Sequence, residues 1–435
     1  MPATTITNVS PTPADRLYRV AARAAFGLAW VVARGLGATP QALRARTGRL
    51  PPATPPLLWL HGASAGEMAA AIGLSAALRA HGHRFTAAYT AANAAGVEFV
   101  QRRGGTQAVA ALAPWDHPRW VARAFDHWQP RLLLLVETEL WPTLILEAAR
   151  RRLPVFCVSA RIYPRDAGRY RLIRALTAPM LQRLTGVLAQ DDTERERFVA
   201  LGMPPECCTV AGNLKYLAAT GASRSHGPLP ATAAWRRELH LVEGERVVVC
   251  GSIHTDELRA VFAALDQLPL DALRVIIAPR HLTATVMITR LAQRRGWRLH
   301  RRSAGSVPPG WQLLVLDRVG ELAEAYAVAS LAVVGGGFGA HGGHNPFEPL
   351  LAGAPVIFGP HFDHFAGEAR ALAAVEPTAQ VDGPLQLGQR LLQWWSDPRR
   401  CARVLARQRS ALPDGAAIAR RYVNALSPWL ERGGV

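Results

Sequence analysis

Two doubly wound α/β domains are what the sequence predicts, and three observations carry that expectation. Short apolar runs alternate with amphipathic segments over most of the chain. The alternation breaks once, near the middle, at a small-polar stretch containing proline. The residues with unusual chemistry gather where apolar runs end. Alternating strand and helix signals mark a parallel sheet with helices on its faces.

The first series of strand-like runs lies at 57–60, 85–89, 132–136, 155–158 and 187–189, and the second at 247–250, 275–277, 313–316, 331–334 and 356–358. After Leu217 the sequence AATGASRSHGPLP reads as an interdomain linker, because glycine, proline and small polar residues interrupt regular structure. The expected organisation is an N-terminal segment (1–48), a Rossmann-like domain (49–220), a linker (221–230), a second Rossmann-like domain (231–410) and a C-terminal helix (411–435) packing back on the first. Open parallel sheets bind ligands outside the carboxyl ends of their strands, so a site in the cleft between the two domains is expected.

With 435 residues, 49% apolar and 19% charged, the chain has the length of two or three ordinary domains and the composition of a globular protein. Fifty Lys and Arg against 32 Asp and Glu leave a net charge of +18, almost all of it arginine, since Lys215 is the sole lysine. Such an excess favours polyanionic partners. The arginines are scattered over helical segments rather than massed in one tract, which favours an anionic membrane surface or lipid phosphate over nucleic acid. Cys157, Cys207, Cys208, Cys250 and Cys401 form no CxxC pair and no disulfide framework, so the cytoplasm is the default compartment. Segment 24–33 is uncharged and apolar but only ten residues long, between Arg16, Arg19 and Arg23 on one side and Arg34 on the other. It is too short to span a bilayer. An interfacial helix with snorkelling arginines is the preferred reading, beside a signal-peptide core or a buried helix of the first domain.

The chemistry-bearing segments follow the apolar runs. Residues 335–343 hold six glycines in nine positions directly after the run 331–334, and Pro346-Phe347-Glu348 opens a helix. Glycine permits φ > 0 and lets backbone N–H groups approach an anion. In the first half, His61-Gly62-Ala63-Ser64-Ala65-Gly66-Glu67 places a carboxylate near a helix N-terminus, where a dipole contribution of ~0.3–1 kcal/mol is the plain alternative to chemistry. The run 132–136 ends in Glu137-Thr138-Glu139-Leu140-Trp141-Pro142. These paired acids are read as a site, or as a helix cap and a partner for an arginine such as Arg161. Lys215, in Gly212-Asn213-Leu214-Lys215, is a compact charge suited to phosphate. Gly251-Ser252-Ile253-His254 and Pro279-Arg280-His281 repeat the order of strand, turn and helix that cradles phosphate, and Arg280 adds a bidentate fork. His254, His281, His341, His344, His361 and His364 are not expected to hold a metal, because HExxH and a tight His/Cys quartet are both missing from the sequence. No GxGxxG opens the first domain, so NAD is unsupported and no cofactor is expected.

Taken in order, Gly62-Ala-Ser-Ala-Gly-Glu67, Glu137-Thr-Glu-Leu-Trp-Pro142, Ser159-Ala-Arg161, Gly212-Asn-Leu-Lys215, Gly251-Ser-Ile-His254, Pro279-Arg-His281, Gly320-Glu-Leu322 and Gly342-Gly-His-Asn-Pro-Phe-Glu-Pro349 resemble the motifs of the 3-deoxy-D-manno-octulosonic acid (Kdo) transferases of lipopolysaccharide synthesis, over residues 14 to 425. The resemblance implies a GT-B fold, two Rossmann-like domains facing a cleft. It also implies inverting transfer of Kdo from CMP-Kdo to a lipid A precursor at the cytoplasmic face of the bacterial inner membrane, by a peripheral or N-terminally anchored enzyme. Glu67 matches the family's catalytic base. Lys215, Ser252, His254, Arg280, His281, Gly320, Glu321, Gly343, His344, Asn345 and Glu348 match donor-binding positions, Glu348 gripping the cytidine ribose. Ser64, Gly66, Glu137, Glu139 and Arg161 fall to the acceptor side or to structure. No metal is implied, because the donor carries a single phosphate. The chain departs from the pattern at Tyr216-Leu217, at His341 where an arginine is usual, and around Ser159-Ala-Arg161, so acceptor handling and the number of sugars added stay open. The rival readings are another nucleotide-sugar GT-B glycosyltransferase and a non-catalytic basic protein binding membrane or nucleic acid.

Overall fold

The computed structural model describes residues 12–105, 108–219, 230–269, 273–318 and 320–431. They form two compact units, Met1–Ala218 with Asp414–Val435, and Ala219–Pro413. The linker expected at 221–230 falls almost wholly on residues 220–229, outside the described residues.

The first unit is built on seven parallel strands: β1 (Leu57–Gly62), β2 (Thr86–Ala91), β3 (Ala108–Leu112), β4 (Leu132–Val136), β5 (Val155–Ala160), β6 (Gly186–Ala189) and β7 (Cys208–Val210). Their spatial order is β3-β2-β1-β4-β5-β6-β7. The chain starts at the centre, runs to one edge, then returns and builds the other side, so strand order reverses between β1 and β4. Every residue of β1, β4 and β5 is buried, the pattern of a sheet covered on both faces. On one face Trp59 packs against Phe125 and Trp128, ring centroids 4.9 and 5.1 Å away, and its Nε1 donates to Thr90 Oγ1. The helix Gly415–Glu431 belongs to this unit, and its buried Tyr422 accepts from Ser159 N–H at 2.9 Å and donates to Gly212 O at 2.7 Å.

The second unit carries six parallel strands: β8 (Arg246–Ile253), β9 (Leu273–Pro279), β10 (Leu299–Arg301), β11 (Leu313–Val315), β12 (Leu331–Val334) and β13 (Val356–Phe358). Their order is β10-β11-β9-β8-β12-β13, so the reversal falls between β8 and β12. Ligands of doubly wound sheets bind at the carboxyl ends of the strands flanking such a reversal. In both units those ends carry the residues singled out from the sequence.

Among the described residues, three of the six non-glycine positions with positive φ fall at the carboxyl ends of strands. Glu137, Ser159 and Ser252, none of them glycine, have φ of 57°, 50° and 56°. Ser159 and Ser252 each sit in a register shift, of β5 against β6 and of β8 against β9. A left-handed residue costs of order 1–3 kcal/mol, and such residues concentrate at ligand-binding turns.

Candidate active site

In the first unit, β1 turns through Ala63 and Ser64 into the helix Ala65–Ala80. Ser64 caps that helix, its Oγ accepting from Glu67 N–H at 3.4 Å and donating to Glu67 Oε1 at 3.1 Å. Glu67 Oε2 accepts from Ala63 N–H at 2.6 Å. This variant of the capping box fixes the carboxylate in one orientation. Gly66 stands exposed in the first turn and adds no side chain there. Burial raises the Glu67 pKa above the usual carboxylate value. The Ala63 and Ser64 hydrogen bonds and the Lys215 charge pull it back, and Glu137 pushes it up.

Glu137 and Glu139 come from the end of β4. Lys215 Nζ lies 2.8 Å from Glu137 Oε1. Its backbone N–H donates to Asn213 Oδ1 at 2.9 Å, and the Ser159 hydroxyl accepts from Leu214 N–H at 3.2 Å. Tyr422 therefore holds, through Ser159 and Gly212, the loop that presents Lys215. Glu139 Oε2 accepts from Trp141 Nε1 at 2.8 Å and lies 3.6 Å from His61 Nε2. His61 is buried, with Nδ1 2.9 Å from Thr90 Oγ1, and burial lowers its pKa to about 3. The imidazole is neutral, so its contact with Glu139 is not an ion pair.

Burial, then the charge of Glu67, then that of Glu137 raise the Glu139 pKa to about 7, against the lowering effect of the Trp141 hydrogen bond. A carboxyl whose folded pKa is raised binds its proton more tightly in the native state. Stability is therefore greatest below the unfolded value of 4.5 and falls as pH rises towards 7. Glu139→Gln keeps the shape and removes the charge. It is expected to raise the unfolding temperature at pH 8 and to change it little at pH 5, and an equal shift at both pH values would contradict the assignment.

One expected partnership is not formed. Arg161 does not meet Glu139; its guanidinium lies over the Tyr163 ring, 4.6 Å from the centroid, and its carbonyl accepts from Thr138 Oγ1. Lys215, assigned from the sequence to the donor phosphate, belongs to the first unit and pairs with Glu137.

In the second unit, β8 ends at Ser252-Ile253 and leads to His254, while β9 leads to Arg280, whose N–H donates to Ile253 O at 2.9 Å. His254 Nε2 is 3.0 Å from His344 Nε2, and the His281 ring stands edge-on at 5.8 Å. Burial, with the charges of His254 and Arg280, lowers the His344 pKa to about 4. Gly343 has φ +74°, and a Cβ there would fall 2.5 Å from the Phe362 ring, so the loop follows this path only with glycine. Asn345 Oδ1 accepts from Phe347 N–H at 3.0 Å, opening the helix Phe347–Ala352 on which Glu348 is exposed. Gly320, with φ +100°, precedes Glu321, whose Oε2 accepts from Arg302 Nε at 2.8 Å. Glu321 thus lies in an ion-pair cluster with Arg302 and Glu238.

Glu257 was missed from the sequence. It is 2% exposed, and its carboxylate accepts from His254 N–H (2.9 Å), Gly336 N–H (2.8 Å) and Phe338 N–H (2.9 Å). One buried carboxylate therefore ties the β8 loop to the glycine-rich loop after β12. Its signal in the sequence was faint: an acid just before the apolar helix Leu258–Leu265.

Residues 41–218 match the model of the 3-deoxy-D-manno-octulosonic-acid transferase (kdotransferase) family. A 3-deoxy-D-manno-octulosonic acid transferase of Bordetella pertussis is 33% identical over 389 residues, 86% of this chain and 87% of that protein. The chain belongs to the Kdo transferase family. The namesake enzyme of Haemophilus influenzae is 29% identical over 381 residues, again 86% of this chain and 87% of its own. In fold, a glycosyltransferase from Rickettsia africae superimposes with a TM-score of 0.54 at 11% identity, over 87% of this chain and all of that one. As a Kdo transferase family member with two parallel-sheet α/β domains, the chain is a glycosyltransferase of GT-B fold.

Proposed function

We propose that this Kdo transferase family member moves Kdo from CMP-Kdo to a lipid A precursor, with inversion, at an anionic membrane surface on the cytoplasmic side of the inner membrane. The observation that carries the reading is the Glu67 carboxylate, half-buried and held by Ala63 and Ser64 at the strand-order reversal of the first unit.

Departure of CMP leaves an oxocarbenium-like sugar and a phosphate whose negative charge grows. Arg280 and the Ser252 turn are suited to that charge, a stabilisation that acts most where the charge develops. Glu67 takes the proton from the acceptor hydroxyl as that oxygen attacks the anomeric carbon. Lys215 and Glu137 set the field around Glu67, one favouring and one opposing its ionised form. Glu348, exposed on the first turn of its helix, accepts from the ribose hydroxyls in this reading.

Arg280→Ala is expected to weaken CMP-Kdo binding roughly 10- to 100-fold, the loss of a charge-assisted hydrogen bond pair. Calorimetric titration with CMP-Kdo, and with CMP and UMP for base preference, reads this directly. An unchanged donor Kd in the variant, or equal affinity for both nucleotides, would count against the donor assignment.

The helix Pro13–Gly35 supports the membrane part of the reading. Its N-terminal end is fixed to the unit by the buried Asp15–Arg183 pair (2.7 Å) and by Tyr18 donating to Asp116 Oδ2 (2.7 Å). Beyond that anchor Leu28, Val31 and Val32 are exposed, beside Arg34. Among the described residues no helix is long and apolar enough to cross a membrane. A helix with exposed apolar residues among arginines suits the interfacial plane. The triple variant Leu28→Glu, Val31→Glu, Val32→Glu is expected to lower partitioning onto phosphatidylglycerol vesicles about tenfold or more in sedimentation. Unaltered partitioning would remove the helix from the membrane contact.

A further inference from the structure

We infer that His254, Asp256 and His341 form a binding site for a single divalent transition ion of the zinc class, on the loops after β8 and β12. One ligand atom from each of the three residues lies within 4.8 Å of the others. His341 Nε2 is 3.0 Å from both Asp256 oxygens, and the His254 ring lies parallel to that of His341 with centroids 3.8 Å apart. Ligands bound tetrahedrally to zinc at about 2.0–2.1 Å stand roughly 3.3 Å apart, so the donors are near that spacing, and the stacked His254 ring must turn for its lone pair to converge with those of Asp256 and His341.

A surface ion pair would need only His341 and Asp256. Three further features make the group a site. Glu257 ties both loops to one carboxylate, which fixes the positions from which the donors project. His344 lies against His254 through a nitrogen-to-nitrogen contact of 3.0 Å, in which one of the two nitrogens must be bare. Such a contact orients a ligating imidazole from behind. Gly339 supplies the room: a Cβ there would fall 2.7 Å from Asp256 Oδ2 and 3.3 Å from His341 Nε2.

Two imidazoles and one carboxylate select borderline ions such as Zn²⁺, Co²⁺ or Cu²⁺ over Mg²⁺ and Ca²⁺, which prefer oxygen. Three protein ligands leave a position for water or an anionic oxygen. Imidazole binds a metal ion in its deprotonated form, so affinity rises with pH. The site stands independently of which sugar the enzyme transfers.

The test uses the full-length protein after chelator treatment and dialysis, titrated with Co²⁺ in visible absorption and with Zn²⁺ in calorimetry. The expected result is one equivalent bound, with at least tenfold weaker binding in His341→Ala and in Asp256→Asn. Gly339→Ala, which removes no donor atom, is also expected to weaken binding. All three positions lie on loops, and unfolding temperatures check that the variants are folded. No saturable Co²⁺ band in the parent protein, or a band of equal strength and affinity in both donor variants, would overturn the inference.

Discussion

Glu67→Gln is expected to lower kcat by roughly 10²–10⁴-fold, the range of a general base, while leaving donor affinity and the unfolding temperature close to those of the parent protein. The separation between these readouts gives the experiment its force. Glu67 has two jobs in the structure. It closes the capping box at the start of the helix Ala65–Ala80, and it presents a carboxylate at the β1–β4 reversal. Glutamine keeps an oxygen for the Ala63 N–H but has no basicity to offer an acceptor hydroxyl. A structural residue would lose stability in proportion to activity; a base loses rate alone. Turnover near that of the parent, or a parallel fall in rate and unfolding temperature, would move Glu67 from chemistry to capping.

Glu257→Ala is expected to be the most damaging single change in the second unit, costing about 3–4 kcal/mol of stability. Three backbone N–H groups, on His254, Gly336 and Phe338, lose a buried charged acceptor at once. Burial leaves water little access to replace it, since Glu257 is 2% exposed. The β8 loop and the glycine-rich loop then lose their shared fixture, and CMP affinity is expected to fall with stability. Glu257→Gln, which retains one acceptor oxygen but turns an amide N–H towards the loops, is expected to fall between. Denaturant unfolding with CMP titration on both variants checks this order, and an alanine variant as stable as the parent would contradict it.

The alternation that predicted two parallel sheets was legible because central strands in such sheets are buried on both faces and so read as continuous apolar runs. Leu132–Val136 and Leu331–Val334 are of this kind. The strands that went unread are β3, β7 and β10, and all three lie at sheet edges. An edge strand packs on fewer neighbours, so Ala108–Leu112 and Leu299–Arg301 carry only partial burial and a weak apolar signal.

At the site, motifs pointed to candidate residues but not to whom they touch. Glu67 follows β1, and Glu137 and Glu139 follow β4, two strands that the topology makes neighbours, and their mutual effect on pKa follows from that placement. The pairing of Lys215 with Glu137 depends on a loop held by Tyr422, some two hundred residues further along the chain. Asp256 and Glu257 were passed over because an acid beside a helix start is ordinary in sequence. Their significance comes from the glycine-rich loop folding against them.

The most direct measurement of the central claim is incubation of the purified protein with CMP-Kdo and a tetraacylated lipid A precursor, read by mass spectrometry. The account predicts lipid product heavier by one or more whole Kdo residues and stoichiometric CMP, both lost in Glu67→Gln. No mass gain from CMP-Kdo under conditions where another nucleotide sugar is transferred would contradict it.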